Sequence, residues 1–314
     1  MKFIDMFCGI GTIRMGFEQA HHECVYSIEW DKWKRKIYSI IFGGEPDGAD
    51  IRTIKSIQLP EADCWCFGAP CQDFSIAGKR KGLEGDRSSL VREVFRLLRE
   101  TKEEYRPKYL FYENVKGMLS SNKGLDYLEI LIEMESLGYD TIEYSLLNSK
   151  DFGVPQNRER VFTIGHLRGR STRKIFPIRG NDKKINAIQR QYTNCITRRY
   201  NEAQATGTYV IESKQYAQEV RPVLTPDRLN KRQNGRRFKE PGEPMFTLTK
   251  QDIHGIEYQG KIRRLTPKEY WRLQGIPDKI TDKVIAAGIS DTQMYKGAGD
   301  ATTVNVIYEI AKRM

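Results

Sequence analysis

At 314 residues, 39% of them hydrophobic, the chain is long enough to bury a sizeable core, and its length predicts about two domains. No apolar run approaches the roughly 20 residues that cross a bilayer, and residues 1–7 are too short for the apolar part of a signal peptide. We therefore expect a soluble intracellular protein without a membrane partner. The six cysteines include no CxxC pair and the four histidines never fall at metal-ligand spacing, so neither a zinc site nor a disulfide framework is indicated.

The net charge of +11 is concentrated in one part of the chain. Residues 168–250, the basic block, hold 19 Lys and Arg against 7 Asp and Glu, an excess of 12 positive charges that leaves the remainder at −1. A solvated basic surface without a partner is the alternative interpretation. The concentration of charge in one block, with doublets such as Arg198 and Arg199, favours a polyanionic partner.

The chain opens with a pattern that predicts a strand, a tight turn and a helix. Residues 2–7 are mostly apolar, Gly9 and Gly11 follow in the turn, and residues 13–20 have helical spacing. The two glycines would let the backbone approach a ligand, as in nucleotide-binding turns. Arg14 stands where a dinucleotide fingerprint has its third glycine, so the glycine pair alone is a weak signal.

Acidic residues then follow at positions that suit a nucleotide pocket. A second predicted strand, 24–28, ends in Glu29, Trp30 and Asp31, which puts an acid about 20 residues on, where ribose hydroxyls lie. Asp50 and Ile51 come after a Gly/Pro/Asp-rich turn. We expect them to close a third side of the same pocket.

Cys71 is the leading candidate for a nucleophile. It follows a short apolar segment, and Pro70 forces the chain to turn there, so the sulfur would project from a stiff corner. Residues 76–87 are basic and flanked by glycines, which predicts a mobile lid over the thiol. A lone cysteine is otherwise most often a buried structural residue, and the rest of the chain decides between the two interpretations.

Strands and helices continue to alternate as far as about residue 165. We predict strands at 62–67, 108–112, 139–147 and 161–165 and helices at 88–101 and 125–137. This rhythm predicts an α/β fold with a doubly wound, mostly parallel sheet. Glu113 ends one of these strands, and an acid at a strand's carboxyl end is where open α/β sheets place ligand chemistry.

The second half of the chain predicts a smaller irregular domain and a return to the first. We expect a catalytic domain at 1–168, a strand-and-loop domain at 169–260 and a closing segment at 261–314. In that segment Thr266 suits a helix N-cap and Gly275 a helix end, and residues 295–300 precede a closing helix that runs through Ile310.

Seven stretches occur in an order that resembles the cytosine-C5 DNA methyltransferase family: FIDMFCGIG, SIEWD, GAPCQDFS, FYENVKG, QNRERVFTIG, RRLTPKEYWRLQGIPD and YKGAGDATTVNV. The resemblance runs from residue 2 to about 310 and is interrupted only by the basic block, which occupies the place of the family's target-recognition domain. It implies a class I methyltransferase fold and transfer of a methyl group from S-adenosylmethionine to cytosine in a short duplex DNA site.

The resemblance also implies roles for particular residues. Cys71 would add to carbon 6 of a flipped cytosine, Glu113 would act as the acid at ring nitrogen 3, and the arginines of the QxRxR pattern, Arg158 and Arg160, would pair with acidic or phosphate groups and with the cytosine carbonyl. Their alternative role is an ion pair with Glu159 or another nearby acid. Cofactor contacts are implied for Phe7, Gly9, Gly11, Glu29, Trp30, Asp50, Ile51, Pro70, Leu90 and Asp300, and DNA contacts for Lys79, Arg80, Lys81, Arg198 and Arg199.

Some points depart from the family or stay open. Asp300 stands where the family usually has Asn, which adds a negative charge near the cofactor end. Phe7 and Trp30 would suit an ordinary core equally well. Residues 194–199 and 244–249 are hydroxyl-rich segments suited to DNA contacts. A tRNA cytosine methyltransferase and a catalytically silent DNA-binding regulator are the rival functions. We expect a monomer in the cytoplasm of a bacterium or phage-infected cell, associated with the nucleoid.

Overall fold

The computed structural model describes residues 1–68, 89–178, 220–229 and 235–314. The chain divides into two compact units: unit 1 comprises Met1–Leu147, Glu159–Ile178 and Val306–Met314, and unit 2 comprises Asn148–Arg158 and Arg179–Asn305. The predicted boundaries at 168 and 260 cut the chain differently, because residues 148–158 and 261–305 fall in unit 2. The functional division drawn from the sequence stays a prediction.

Unit 1 is built on a six-stranded sheet with the strand order β2-β1-β3-β4-β6-β5. β1 pairs in parallel with β2 and β3, β3 pairs in parallel with β4, and β4 is antiparallel to β6. The predicted α/β fold with a mostly parallel sheet is therefore confirmed. The strands are β1 (Lys2–Met6), β2 (Glu23–Ile28), β3 (Cys64–Phe67), β4 (Tyr109–Val115), β5 (Thr141–Asn148) and β6 (Glu159–His166).

Helices cover both faces of this sheet, because successive strand residues point to opposite sides. Ile4 and Met6 of β1 join one buried cluster with residues of the third and fourth helices. Phe3 faces the other way, and its ring centroid lies 4.7 Å from that of Phe17 in the first helix. The helices are α1 (Thr12–Gln19), α2 (Lys32–Phe42), α3 (Ser89–Glu100), α4 (Leu125–Ser136) and, closing the chain, α8 (Val304–Ala311).

The closing helix lies against α1 within unit 1. A Cβ on Gly16 would come within 2.5 Å of Ile307, so the two helices approach closely only because residue 16 has no side chain. His22, just after α1, is bonded through Nε2 to the Ala311 carbonyl at 2.9 Å. The closing helix predicted from the sequence is thus present, and it packs against α1 and the residues that follow α1.

In its described residues, unit 2 combines a small sheet with three short α-helices. β7 (Arg221–Val223), β8 (Gly255–Tyr258) and β9 (Lys261–Arg264) form an antiparallel sheet in the order β7-β8-β9. Thr266 caps α5 (Pro267–Leu273) as predicted, and Glu269 completes the capping box. Two further helices, α6 (Asp278–Ala286) and α7 (Asp291–Asp300), were not predicted. None of the helices in the described ranges is long and apolar enough to cross a membrane.

Candidate active site

The carboxyl ends of the parallel strands bring the predicted pocket residues of unit 1 to one edge of the sheet. Met6 lies opposite Ile28 on one side and Phe67 on the other, and Phe67 in turn lies opposite Tyr112. The segments that follow these strand ends therefore meet at the same edge. Open α/β sheets bind their ligands at this edge.

The turn after β1 is held by a buried carboxylate. The Gly9 N–H donates to Glu29 Oε2 at 2.9 Å, and the Asp31 N–H donates to Oε1 of the same side chain at 2.8 Å. Glu29 is only 6% exposed. One carboxylate thus ties the glycine turn to the segment after β2, and each of its oxygens keeps a further lone pair that can accept a hydrogen bond from a hydroxyl.

Gly9 and Gly11 are required for different reasons. Both have positive φ, 59° and 87°. A Cβ on Gly11 would lie 2.2 Å from Cε2 of Phe42, so this glycine is needed for packing. A Cβ on Gly9 would meet no atom within 4 Å. The sequence interpretation, in which both glycines make room for a ligand, therefore suits Gly9 better than Gly11.

Two aromatic residues flank the turn. Phe7 has a φ of 63°, an uncommon backbone conformation that often occurs at functional sites, and its side chain packs against the main cluster of unit 1. Trp30 is 70% exposed, and the Arg52 guanidinium lies 5.9 Å from its ring centroid. A large aromatic ring this exposed is not an ordinary core residue. Trp30 therefore offers a free face for stacking, whereas Phe7 is partly a core residue.

The remaining cofactor candidates of unit 1 lie in less accessible positions. Asp50 caps the short turn Ile51–Thr53 and receives hydrogen bonds from Arg52, whose guanidinium lowers the pKa of this carboxyl. Ile51 is 3% exposed and belongs to the core, and Leu90 packs against the same cluster. A contact from Asp50 or Ile51 to a ligand would therefore come from exposed edges of this turn.

Glu113 and Arg160 form an ion pair at the end of the sheet. Because β4 and β6 are antiparallel and Val115 lies opposite Arg160, the two side chains are diagonal neighbours on one face. Arg160 Nε lies 3.1 Å from Glu113 Oε1, and their side chains are only 15% and 12% exposed. A Cβ on Gly68 would lie 3.0 Å from Glu113 Oε2. The carboxylate therefore lies beside the residue that, in the sequence, precedes Cys71 by three positions.

Arg158 is placed quite differently from Arg160. It lies in unit 2, is 2% exposed, and donates hydrogen bonds to the carbonyl oxygens of Leu248, Gly299 and Ala301 at 2.9, 3.1 and 2.8 Å. These are backbone acceptors rather than the acidic or phosphate groups that the resemblance implies. Arg160 pairs with the Glu113 carboxylate and also donates to the Glu159 carbonyl, whereas the three acceptors named for Arg158 are all backbone carbonyls.

Asp300 ends α7 and lies near a cation of the basic block. Lys250 Nζ is 3.9 Å from Asp300 Oδ1, and both side chains are about one-third exposed. The extra negative charge that this chain carries in place of the usual Asn is therefore partly offset within unit 2. Exposed pairs of this kind contribute little to stability, on the order of 0–1 kcal/mol.

Asp5 is a buried acid that the sequence interpretation did not use. It lies on β1 with no exposed surface, and neither carboxyl oxygen has a hydrogen-bond partner. Burial raises its pKa to about 8, a shift that Glu29 and Glu18 reinforce and that Arg14 opposes. An ionisable residue inside the otherwise apolar run of residues 3–7 was the sequence signal that could have indicated a buried acid. Asp5 is therefore mostly protonated at neutral pH, directly before the glycine turn.

Several predicted site residues lie outside the described residues: Pro70, Cys71, Lys79, Arg80, Lys81, Arg198 and Arg199. The lid at 76–87 and the segment at 194–199 lie outside them as well. Within the described ranges, no three His, Cys, Asp or Glu are arranged to hold a metal ion.

Comparisons with known proteins agree with this architecture. Orphan methyltransferase M.SPRI of Bacillus phage SPR is 30% identical over 432 aligned residues, covering 100% of this chain and 97% of the relative. Type II methyltransferase M.HhaI of Haemophilus parahaemolyticus is 31% identical, covering 99% of this chain and 93% of the relative.

Solved structures share the fold at lower identity. S. pombe Dnmt2 methyltransferase has a TM-score of 0.71 at 18% identity, covering 99% of this chain and 97% of that one. Entamoeba histolytica methyltransferase EhMeth has a TM-score of 0.68 at 19% identity, with 98% and 96% covered. The family whose sequence model matches residues 1–314 is described as C-5 cytosine-specific DNA methylase. The chain therefore belongs to the C-5 cytosine-specific DNA methylase family and is, by that membership, a DNA (cytosine-5-)-methyltransferase.

Proposed function

We propose that this enzyme transfers a methyl group from S-adenosylmethionine to carbon 5 of a cytosine that is flipped out of a short, specific duplex DNA site, through a covalent bond to Cys71. The observation that carries the proposal is the Glu113–Arg160 ion pair. It lies at the carboxyl end of β4 and next to Gly68, three residues before Cys71 in the sequence.

The residues of unit 1 fit the cofactor. Gly9 leaves open space at the turn, Glu29 has lone pairs free for ribose hydroxyls, and Trp30 has an exposed aromatic face. Bound there, S-adenosylmethionine would supply an electrophilic methyl group on a sulfonium. We include Phe7, Gly11, Asp50, Ile51, Leu90, Pro70 and Asp300 in the proposed cofactor site, on the family pattern.

The chemistry assigns a task to each catalytic residue. Carbon 5 of cytosine is a poor nucleophile, so the Cys71 thiolate first bonds to carbon 6, and the electron pair of the ring double bond becomes available at carbon 5. Glu113 shares a proton with ring nitrogen 3 as negative charge develops there. Arg160 orients the Glu113 carboxyl through the 3.1 Å contact and favours the negative charge on the ring. Carbon 5 then takes the methyl group, and S-adenosylhomocysteine is the leaving group. Loss of the carbon 5 proton to a base restores the ring double bond, and Cys71 departs from carbon 6 as the thiolate.

The base must leave the duplex for this reaction, because a stacked ring offers no access to carbon 6. The basic block is the proposed DNA-binding surface, with Arg198 and Arg199, and Lys79, Arg80 and Lys81 are proposed for phosphates. The two sequence relatives named above, M.SPRI and M.HhaI, are methyltransferases of a phage and a bacterium. We therefore propose duplex DNA as the substrate, in a bacterial or phage setting.

The test is methyl transfer from labelled S-adenosylmethionine to plasmid DNA and, in parallel, to tRNA. We expect label in plasmid DNA, with bisulfite sequencing showing one short recurring site. Cys71→Ser is expected to abolish turnover and keep DNA binding, and Glu113→Gln to lower the rate by about 10² or more. Arg99→Lys, a surface control, is expected to match the wild type. Label in tRNA alone would refute the DNA substrate, and full activity of Cys71→Ser would refute the mechanism.

A further inference from the structure

Arg158 is almost completely buried in unit 2. It is 2% exposed, and its two terminal nitrogens donate to three backbone carbonyls within unit 2. A guanidinium is a planar fork of donors, so it can join several acceptors at fixed angles. Its acceptors belong to two stretches of chain, Leu248 in the segment 244–250 and the residues on either side of Asp300. This arginine therefore connects the end of the basic block to the end of α7, residues 299–301.

Gln156, from the same QxRxR pattern, binds the same segment from the other side. Its Oε1 accepts the Leu248 N–H at 3.1 Å, and its Nε2 donates to the Leu273 carbonyl at 2.8 Å. Gln156 has no exposed surface. Together with Arg158 it satisfies both the N–H and the C=O of Leu248. Leaving a buried backbone group without a hydrogen-bond partner is costly, so these two side chains strongly favour one position of Leu248.

Backbone contacts extend this attachment along the segment. The Met245 N–H donates to the Pro155 carbonyl at 2.7 Å, and the Asn157 N–H donates to the Met245 carbonyl at 2.9 Å. The Thr247 hydroxyl donates to the Asn157 carbonyl at 2.6 Å. Residues 155–158 therefore run beside residues 245–248 as a short paired stretch. The Thr247 hydroxyl, in a segment predicted to contact DNA, thus donates its hydrogen bond to the protein's own backbone.

The end of α7 is in direct contact with the same segment. A Cβ on Gly299 would come within 2.3 Å of the Thr249 carbonyl carbon, so the two backbones are in contact. Next to this contact, Lys250 pairs with Asp300. The described part of unit 2 thus holds residues 248–250 between Arg158 and the end of α7.

We propose that Arg158, with Gln156, is a positioning residue that fixes the segment 244–250 for DNA binding, and that it is not a catalytic residue. The role in DNA binding rests on the proposed function, in which the segment 244–250 faces DNA. The fixing of this segment by Arg158 and Gln156 does not depend on that function, because it involves only contacts inside unit 2. Of the two arginines, Arg160 alone keeps the direct catalytic role.

Hydrogen–deuterium exchange and steady-state kinetics on the full-length enzyme test the proposal. Arg158→Lys keeps the charge but cannot span three carbonyls. We expect faster exchange confined to residues 244–250 and 299–301. We also expect a rise of about tenfold in the KM for DNA, with a fall of about threefold or less in kcat. Arg99→Lys replaces an exposed arginine that pairs with Glu133 on the surface of unit 1 and serves as the matched control.

Thr247→Val is the milder second variant, because it removes only the hydroxyl that donates to Asn157. It is expected to speed exchange in the same segment and to raise the KM for DNA. If Arg158→Lys does not fold, Thr247→Val tests the positioning of the segment in its place. Unchanged exchange at 244–250 in the variants, or a kcat loss of about 10² with an unchanged KM for DNA, would overturn the proposal. Failure of the wild-type enzyme to methylate DNA would instead refute the proposed function, and the exchange data would still decide the positioning role.

Discussion

Substituting alanine for each glycine of the β1–α1 turn separates packing from ligand access. At Gly11, the φ of 87° costs an L-residue about 1–2 kcal/mol. The new Cβ would also lie 2.2 Å from Phe42 Cε2, and overpacking of this kind costs about 1–3 kcal/mol. Gly11→Ala is therefore expected to lower the free energy of unfolding by about 2–5 kcal/mol, a large part of the 5–15 kcal/mol typical of a folded protein.

Gly9→Ala is the matched comparison. Its φ of 59° carries a similar backbone cost of about 1–2 kcal/mol, but the new Cβ meets nothing within 4 Å. The methyl group would project into the space proposed for S-adenosylmethionine. We therefore expect a smaller loss of stability than for Gly11→Ala and a Kd for the cofactor raised by about tenfold or more.

Urea unfolding gives the two free energies, and isothermal titration calorimetry gives the cofactor Kd. The double variant Gly11→Ala, Phe42→Ala is expected to recover part of the stability lost in Gly11→Ala, because the clash is removed. Equal destabilisation by Gly9→Ala and Gly11→Ala would contradict the separate roles of the two glycines. A Gly9→Ala variant that binds the cofactor as the wild type does would contradict the role of Gly9 in ligand access.

Two further predictions concern buried charges. Burial raises the pKa of Asp5 from 3.8 to about 8 in the folded protein. Between these two pH values the folded protein holds a proton that the unfolded chain has lost. The free energy of unfolding therefore falls as pH rises through this range, by about 1.4 kcal/mol per pH unit. Urea unfolding at pH 5 and pH 8 should show this loss in the wild type and not in Asp5→Asn, and equal pH dependence in both would contradict it. Arg160→Lys keeps the charge but loses the fixed Nε contact to Glu113, so single-turnover methylation should slow by about 10-fold or more while DNA affinity is kept. An unchanged single-turnover rate would remove Arg160 from the proposed chemistry.

Local signals gave most of unit 1 in advance. The apolar run of β1, the two glycines and the helical spacing after them all agree with one another, and in unit 2 Thr266 marked the start of α5. The helix α2 is not among the predicted elements, and Asp31, the residue before it, was predicted to lie at the nucleotide pocket. Its carboxylate in fact caps the helix through the N–H groups of Trp33 and Lys34.

Tertiary contacts explain what local patterns could not show. Two glycines near the end of α7 argue against a helix, yet Gly299 is accommodated because it lies flat on the backbone of Thr249 and Lys250. Arg158 and Arg160 look equivalent in the sequence, two residues apart. Only the register of β4 against β6 brings Arg160 to Glu113, and Arg158 precedes the strand and is bound by carbonyls from distant residues.

Mechanism-based trapping tests the central claim most directly. The target cytosine of a duplex oligonucleotide is replaced by 5-fluorocytosine, and this oligonucleotide is incubated with the enzyme and S-adenosylmethionine. The covalent adduct is trapped because a fluorine at carbon 5 cannot leave as the proton does. The proposed mechanism predicts a protein–DNA adduct that survives denaturation, maps to Cys71 by mass spectrometry and is absent from Cys71→Ser. DNA that the enzyme methylates but that yields no adduct when fluorinated, or an adduct at a different residue, would contradict it.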